Sequence, residues 1–362
     1  MRDILGTLER WVDAGLPVAL GSVVERVGSA PREPGAAIGV SGPGELAGSV
    51  TGGCVDPEVV GAAKEVLAGA PGRLLRFGLD DEDSVGVGLS CGGTIAVAVY
   101  ALDPEIVPAL ADAVGAASPA AVTVRLDEPG FGEQQLFVGE QAGDSPLADA
   151  VHPLLELGES AVVETAGGEV VFVETFAPRP NLYLFGVSEH VTALARLGRF
   201  LGYRVTVCDP RSELLTPERM PDADELVAEW PDRFLQTAKV DSRTAICLLT
   251  HDRRFDVPGL LEALKTPAGY IGAIGSRRTA AERERLLRAE GAGATDLARI
   301  RAPIGLPLGA RTPEEVAVAI GAELIEVSAA LRSRRATELQ RATVLGSDGS
   351  RELPARGGHT SG

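Results

Sequence analysis

The chain reads as an α/β protein, with an N-terminal mixed α/β domain joined to a C-terminal Rossmann-like domain on a doubly wound parallel sheet. Three observations predict this. From residue 181, short apolar runs alternate with stretches whose apolar residues recur at helical spacing, as Val191, Leu194, Leu197 and Leu201 do. A strand–helix–strand series of this kind builds a parallel sheet. The run Thr94–Tyr100 is apolar on both faces, the mark of a fully buried strand. Between the two regimes lies a linker, Ala177-Pro178-Arg179-Pro180.

Residues 4–14 predict a helix ended by Gly15 and Pro17, and strands follow at 18–27 and 36–40. A helix over 57–68 opens at Asp56-Pro57, a capping residue followed by a first-turn proline, and stops at Gly69. After the strand at 94–100, Asp103-Pro104-Glu105 starts a helix that runs to 115. Residues 120–178 are richer in strands, at 121–126, 134–139, 161–165 and 170–175, with a helix at 145–157 among them. Ala166-Gly167-Gly168-Glu169 reads as a hairpin turn between the last two.

In the C-terminal part, strands fit 182–185, 203–208, 224–228, 244–250 and 270–274. Helices fit 232–238, 257–265, 279–290 and 313–329. Thr279-Ala280-Ala281-Glu282 and Thr312-Pro313-Glu314-Glu315 carry the residues of helix starts. The domain boundaries expected are 1–178, with a strand-rich extension from 120, and 179–335, while a tail over 342–362, rich in Gly, Ser and charge, is expected to be disordered.

Composition excludes several classes. With 34 basic and 51 acidic residues the 362-residue chain carries a formal charge of −17, which opposes a nucleic-acid partner. No run of about 18 apolar residues predicts a membrane span. The first ten residues lack a signal-peptide core, so a cytoplasmic location is expected. The four cysteines, Cys54, Cys91, Cys208 and Cys247, lie far apart and form neither a zinc pattern nor a disulfide framework.

Two of these cysteines sit in glycine-rich frames, Gly52-Gly53-Cys54 and Ser90-Cys91-Gly92-Gly93. Cys54 precedes the predicted helix start at Asp56, where a thiol ionises more readily and anions are attracted. The alternative is a small buried hydrophobe, which is the reading for Cys208 and Cys247 inside their apolar strands. The loop Gly28–Gly35 carries Arg32 as a further candidate.

In the second domain the first strand–helix turn keeps only the first glycine of a dinucleotide loop, Gly186, with Ser188 where the second would be. Asp209 ends the next strand, 23 residues after Gly186, where a ribose-binding acid would sit; alternatively Asp209-Pro210 only turns the chain. His251 and Asp252 follow another strand and suit ligand orientation or proton transfer, or else capping. Gly275-Ser276-Arg277-Arg278 sets paired guanidinium groups at a helix mouth, a phosphate clamp or else a surface ion-pair cluster with Glu282. The segment Pro303–Thr312 reads as a structural loop into the last helix. No acid–base pair identifies a catalytic residue, and no metal ligand is assigned.

Together these segments resemble the XdhC/CoxI family of xanthine dehydrogenase accessory factors. The matching pieces are Ser29-Ala30-Pro31-Arg32, Gly52–Asp56, Ser90–Gly93, Gly202–Arg211, Thr250–Asp252, Gly275–Arg278 and Pro303–Glu315, in order along most of residues 10–330. The resemblance implies a protein that binds the molybdenum cofactor (molybdopterin, a phosphorylated pterin with a dithiolene) as cargo. It implies that the cargo is protected, receives its terminal sulfur and is passed to an apo-form molybdenum hydroxylase. A homodimer and a cysteine desulfurase as second partner fit the same picture. Members often carry Gly-Ala-Gly where this chain has Gly186-Val187-Ser188, and glutamate where it has Asp56. On this reading the chain is a cofactor chaperone without turnover, and an NAD(P)-dependent oxidoreductase is the alternative. A xanthine dehydrogenase itself is excluded, because its iron–sulfur clusters need about four cysteines each and this chain has four in all.

Overall fold

Apolar residues on both faces of the first long strand dictate the N-terminal architecture, because alternate side chains leave a strand on opposite faces and each face needs its own cover. That strand, β1 (Val18–Val27), sits at the centre of a five-stranded antiparallel sheet with β2 (Ala37–Ser41), β3 (Leu46–Gly48), β4 (Arg73–Phe77) and β5 (Thr94–Ala101), in the order β3-β2-β1-β5-β4. The structure, a computed structural model, describes residues 1–28, 32–78, 93–139, 146–250 and 252–344.

Three helices cover this sheet: α1 (Leu5–Asp13), α2 (Asp56–Leu67) and α3 (Ile106–Gly115). Ala19 and Val23 share one core with Val59, Ala62 and Ala63 of α2. Leu20 and Val24 share the other with Leu8 of α1 and Leu110 of α3. A second antiparallel sheet closes that second core. It comprises β6 (Ala120–Arg125), β7 (Gln134–Val138), β8 (Ala161–Glu164) and β9 (Val170–Phe176), in the order β7-β6-β9-β8. Val122 and Phe172 face the shared core, while Ala121, Val171 and Val173 pack on α4 (Pro146–Leu157).

The C-terminal strands are β10 (Asn181–Phe185), β11 (Arg204–Cys208), β12 (Glu225–Val227), β13 (Ala245–Leu248), β14 (Tyr270–Ala273) and β15 (Ile300–Arg301). They pair in parallel throughout, in the order β12-β11-β10-β13-β14-β15, the doubly wound arrangement. The helices between them are α5 (Glu189–Phe200), α6 (Pro231–Thr237), α7 (Arg253–Leu264), α8 (Arg277–Ala289), α9 (Ala294–Leu297) and α10 (Pro313–Val344). Leu182 and Leu184 pack with Leu194 of α5 and Ile320 of α10, while Tyr183 and Phe185 pack with Leu235 of α6, Leu260 of α7 and Leu287 of α8. The chain divides into two compact units that hold Met1–Pro178 and Arg179–Thr337.

Several boundaries differ from expectation. Helix α8 starts at Arg277, not Thr279, because Ser276 is the cap and its hydroxyl accepts the Thr279 N–H at 3.1 Å. Helix α7 starts at Arg253 and takes Pro258 within its length. Helix α10 runs on to Val344, past 329 and into the segment expected to be disordered, the rest of which lies outside the described residues. Helix α2 is capped at Val55, so Asp56 is its first residue instead of its cap.

One buried ion pair fastens α8 to α7. Arg283 Nη2 donates to Asp256 Oδ2 at 2.6 Å and to the Ile274 carbonyl at 3.0 Å, and the Thr250 hydroxyl donates to Asp256 Oδ1. Both side chains are almost fully enclosed. Removing one partner strands the other charge in the interior, which costs about 3–5 kcal/mol. Arg283→Met is therefore expected to lower stability by about 3–5 kcal/mol, read from denaturant unfolding of the full chain. A loss below roughly 1 kcal/mol, the range of exposed pairs, would contradict this account.

Candidate functional site

The loop before α2 is built around one carboxylate. Asp56 Oδ1 accepts the N–H groups of Val50 (3.1 Å) and Thr51 (3.2 Å), and Oδ2 accepts the Ser49 hydroxyl at 2.6 Å. The Ser49 hydroxyl oxygen in turn accepts the Gly52 N–H at 2.6 Å, and the Thr51 hydroxyl accepts the Val55 N–H at 3.2 Å. These bonds fold residues 49–56 into a closed turn with Gly52 and Gly53 at positive φ (84° and 129°). Cys54 stands exposed at its tip. The structure thus assigns the aspartate to loop closure, a task for which its short reach suits it.

Arg32, on another loop of this unit, is half-buried and lies 3.4 Å from Asp3. It lines a groove of about 340 Å³ with Arg2, Ser160 and Glu174. Ser90, Cys91 and Gly92 lie outside the described residues, as does His251 in the second unit.

In the C-terminal unit the parallel topology collects the remaining candidates on one edge, since each follows the end of a strand of the same sheet. Gly186 follows β10 at φ 115°, and a Cβ there would meet Thr250 Cγ2 at 3.1 Å and the Leu249 carbonyl oxygen at 3.3 Å. Only glycine fits without displacing the neighbouring strand end. Ser188 caps α5, its hydroxyl accepting the Val191 N–H at 3.4 Å. A donor that a pyrophosphate would take is therefore turned to the protein's own hydroxyl.

Asp209 follows β11 and is buried. Its carboxylate receives a two-point clasp from Arg211, Nε at 2.8 Å and Nη2 at 2.7 Å, together with the Arg211 N–H at 3.0 Å. The acid expected to meet a ribose is thus occupied within its own turn. Asp252 caps α7 by accepting the Arg254 N–H at 2.9 Å, and the Arg254 guanidinium grips the same carboxylate. Those contacts, the Arg254 side chain first, hold the Asp252 carboxyl down at about 2. It is fixed as a carboxylate and does not shuttle protons near neutrality.

Arg277 and Arg278 occupy the first two positions of α8 and are exposed. Glu282, offered as their ion-pair partner, is instead held by Arg253 at 2.7 Å. Among the described residues, neither arginine makes a hydrogen bond or ion pair. Arg277 lines a cavity of about 240 Å³ against α8 that Arg278 does not reach. Adjacent helical residues point about 100° apart, so the two do not face one point.

Cys208 and Cys247 are buried in their strands, as expected. The Cys208 thiol donates to the Glu229 carbonyl at 3.2 Å, and burial raises its pKa to about 12. Burial pushes the Cys247 thiol up as well. Among the described residues no group of three or more His, Cys, Asp or Glu is placed to hold a metal ion, and no helix is long and apolar enough to cross a membrane.

Sequence reasoning missed Arg211, Arg254, Asp256 and Arg283. The last had a signal: Arg283 stands four residues before Leu287, on the buried stripe of α8, where an arginine needs a partner.

Comparison with known proteins agrees with this architecture. Residues 11–78 match the family described as XdhC and CoxI family, and residues 182–324 match the XdhC Rossmann domain. A Bacillus subtilis protein, named as a probable subunit of xanthine dehydrogenase, is 26% identical over 336 residues, 89% of this chain and 98% of that protein. The molybdenum cofactor insertion chaperone PaoD of Escherichia coli is 28% identical over 326 residues, 90% of this chain and 88% of PaoD. A crystal structure described as a xanthine dehydrogenase from Bacillus halodurans has the same fold, with a TM-score of 0.63 at 24% identity over 91% of this chain and 96% of that one. Both halves of the molecule thus match in the same order, and the chain belongs to the XdhC/CoxI family.

Proposed function

We propose that this protein binds the molybdenum cofactor and delivers it to a xanthine dehydrogenase-type molybdenum hydroxylase. The observation that carries the reading is Cys54, an exposed thiol on a loop closed by Asp56 and kept open at its tip by two glycines. Thiolates are soft ligands suited to molybdenum–sulfur chemistry. In the second unit, Arg277 is exposed at the mouth of α8 and makes no ion pair among the described residues, a cation open to an anion there. A relative named as a molybdenum cofactor insertion chaperone supports the same role.

A dinucleotide-dependent reaction draws no such support. Ser188 and Arg211 have taken the α5 donor and the Asp209 carboxylate that NAD(P) would need. The chemistry left to this chain is to hold a cargo and release it.

Protein purified from a host that makes the cofactor is expected to carry molybdenum and pterin, read by metal analysis and by fluorescence of the oxidised pterin. Cys54→Ala is expected to retain less than about a tenth of the wild-type amount, a loss typical of a removed metal-site contact, with circular dichroism unchanged. Wild-type retention in that variant would return Cys54 to a structural role.

Thiol accessibility supplies an independent check. With Cys91 replaced by serine, a maleimide is expected to label Cys54 in the native protein and to reach Cys208 and Cys247 only after denaturation. Native labelling of all three thiols would contradict the burial of the two strand cysteines.

A further inference from the structure

Helix α10 is apolar on two opposite sides. One side, with Ala317, Ile320 and Leu324, packs into the core with Leu182 and Leu184 of the sheet. The other carries Val318, Ala322, Ile325 and Ala329. At about 100° per residue these four fall within roughly 60° of one another, in a straight stripe about 17 Å long. Val318 is 55% exposed and Ile325 54%, and Ala329 is exposed as well. A surface helix keeps polar residues on its solvent side, whereas one that is apolar on both sides is covered on both. Helix α5 widens the patch. A Cβ at Gly321 would fall 2.7 Å from Leu197 Cδ2 and 3.5 Å from Leu201 Cδ1, so α5 lies directly against α10 at this level. Phe200, between those two leucines, is 84% exposed, and among the described residues no large apolar side chain is more so. Neighbouring aromatic and branched side chains left in water mark a surface that associates.

The stripe is complementary to itself. A two-fold axis passing between Glu323 and Leu324 turns the helix end for end. It sets Val318 of one copy against Ala329 of the other, and Ile325 against Ala322, so each large side chain meets a small one. The same register brings Glu314, exposed near the start of α10, level with Arg332, exposed about five turns later on the same side of the pair. A parallel pair would instead set Glu314 against Glu314 and Arg332 against Arg332. Flanking charges of this kind fix the orientation of paired helices. A face that serves both copies alike makes the isologous contact that closes a dimer.

We infer that two copies of this chain pair through this face, α10 antiparallel to α10, with Phe200 of each copy at the flank of the contact. The inference goes beyond the proposed function. It is tested without cofactor or hydroxylase, so its failure leaves the retention measurements untouched. One helix pair makes a small interface, so the dimer dissociates on dilution.

Sedimentation equilibrium of the full chain is expected to show a monomer–dimer equilibrium over roughly 1–100 µM. Ile325→Asp and, separately, Ala329→Arg, both at exposed positions, are expected to raise the dissociation constant at least about thirtyfold, the loss that follows a change at the centre of an interface. Circular dichroism is expected to stay unchanged in both. Glu314→Arg and Arg332→Glu are each expected to weaken pairing, and the two together in one chain to restore it. A wild-type chain that stays monomeric throughout leaves the face to a different protein and overturns the inference. So does a dimer that Ala329→Arg leaves at wild-type strength, whether or not Ile325→Asp folds. Single charge changes that weaken pairing, with no recovery in the double variant, overturn the antiparallel register.

Discussion

The buried pair of Asp256 and Arg283 is the constraint on which the C-terminal strand-end edge depends. It draws in the Thr250 hydroxyl from the end of β13 and the Ile274 carbonyl from the end of β14, so two helices and two strand ends meet at one point. Such a pair is weak as a source of stability, since apolar residues of like volume often serve as well. Its value lies in position. The cation reaches Asp256 from the seventh position of α8, which fixes how that helix leaves the sheet and where Arg277 emerges.

Charge along this edge follows a consistent rule. Asp209, Asp252 and Asp256 are each clasped by an arginine, Arg211, Arg254 and Arg283 respectively. Every such pair is locally neutral, while among the described residues Arg277 and Arg278 make no ion pair. The whole chain nonetheless carries −17. Its long-range field repels anions, but salt screens that field beyond about 8 Å. An anion held along this edge would have to be bound at short range and directionally, which arginine's fixed fork supplies better than a diffuse basic patch. The same acidic field would favour encounters with a basic surface on a protein partner.

Much of this architecture was legible in the sequence. The strand–helix alternation after residue 181 pointed to the parallel sheet, because residues such as Leu182 and Tyr183 are both apolar and must bury opposite faces. The boundary differences share a cause. Ser276 and Asp252 are good caps, but Thr279-Ala280-Ala281-Glu282 and Pro258 are stronger local signals, and the folded chain overrides them. Strand β4 escaped because Leu74, Leu75 and Phe77 do not alternate, and β3 because it is only three residues long. At the site, sequence located the loops but not their internal pairings. Whether Asp209 faces a ribose or Arg211 depends on a side-chain torsion two residues away, which no spacing encodes.

The first turn of the C-terminal sheet shows how a dinucleotide frame can persist without its loop. Gly186 survives because the strand end at Leu249–Thr250 leaves no room for a side chain. The position of the third glycine, which ordinarily lets helix and strand approach, is Val191, fully buried in the core with Leu182 and Leu184. The close approach has moved two turns along α5, to Gly198, where a Cβ would fall 2.3 Å from Leu182 Cδ2. Helix and strand thus remain tightly packed at a different point of contact. Freed from that duty, the N-terminal turn of α5 is capped by Ser188 and has no need of a phosphate to satisfy it. On the β14 side of the same sheet, α8 opens instead with two exposed arginines, Arg277 and Arg278, that make no ion pair among the described residues.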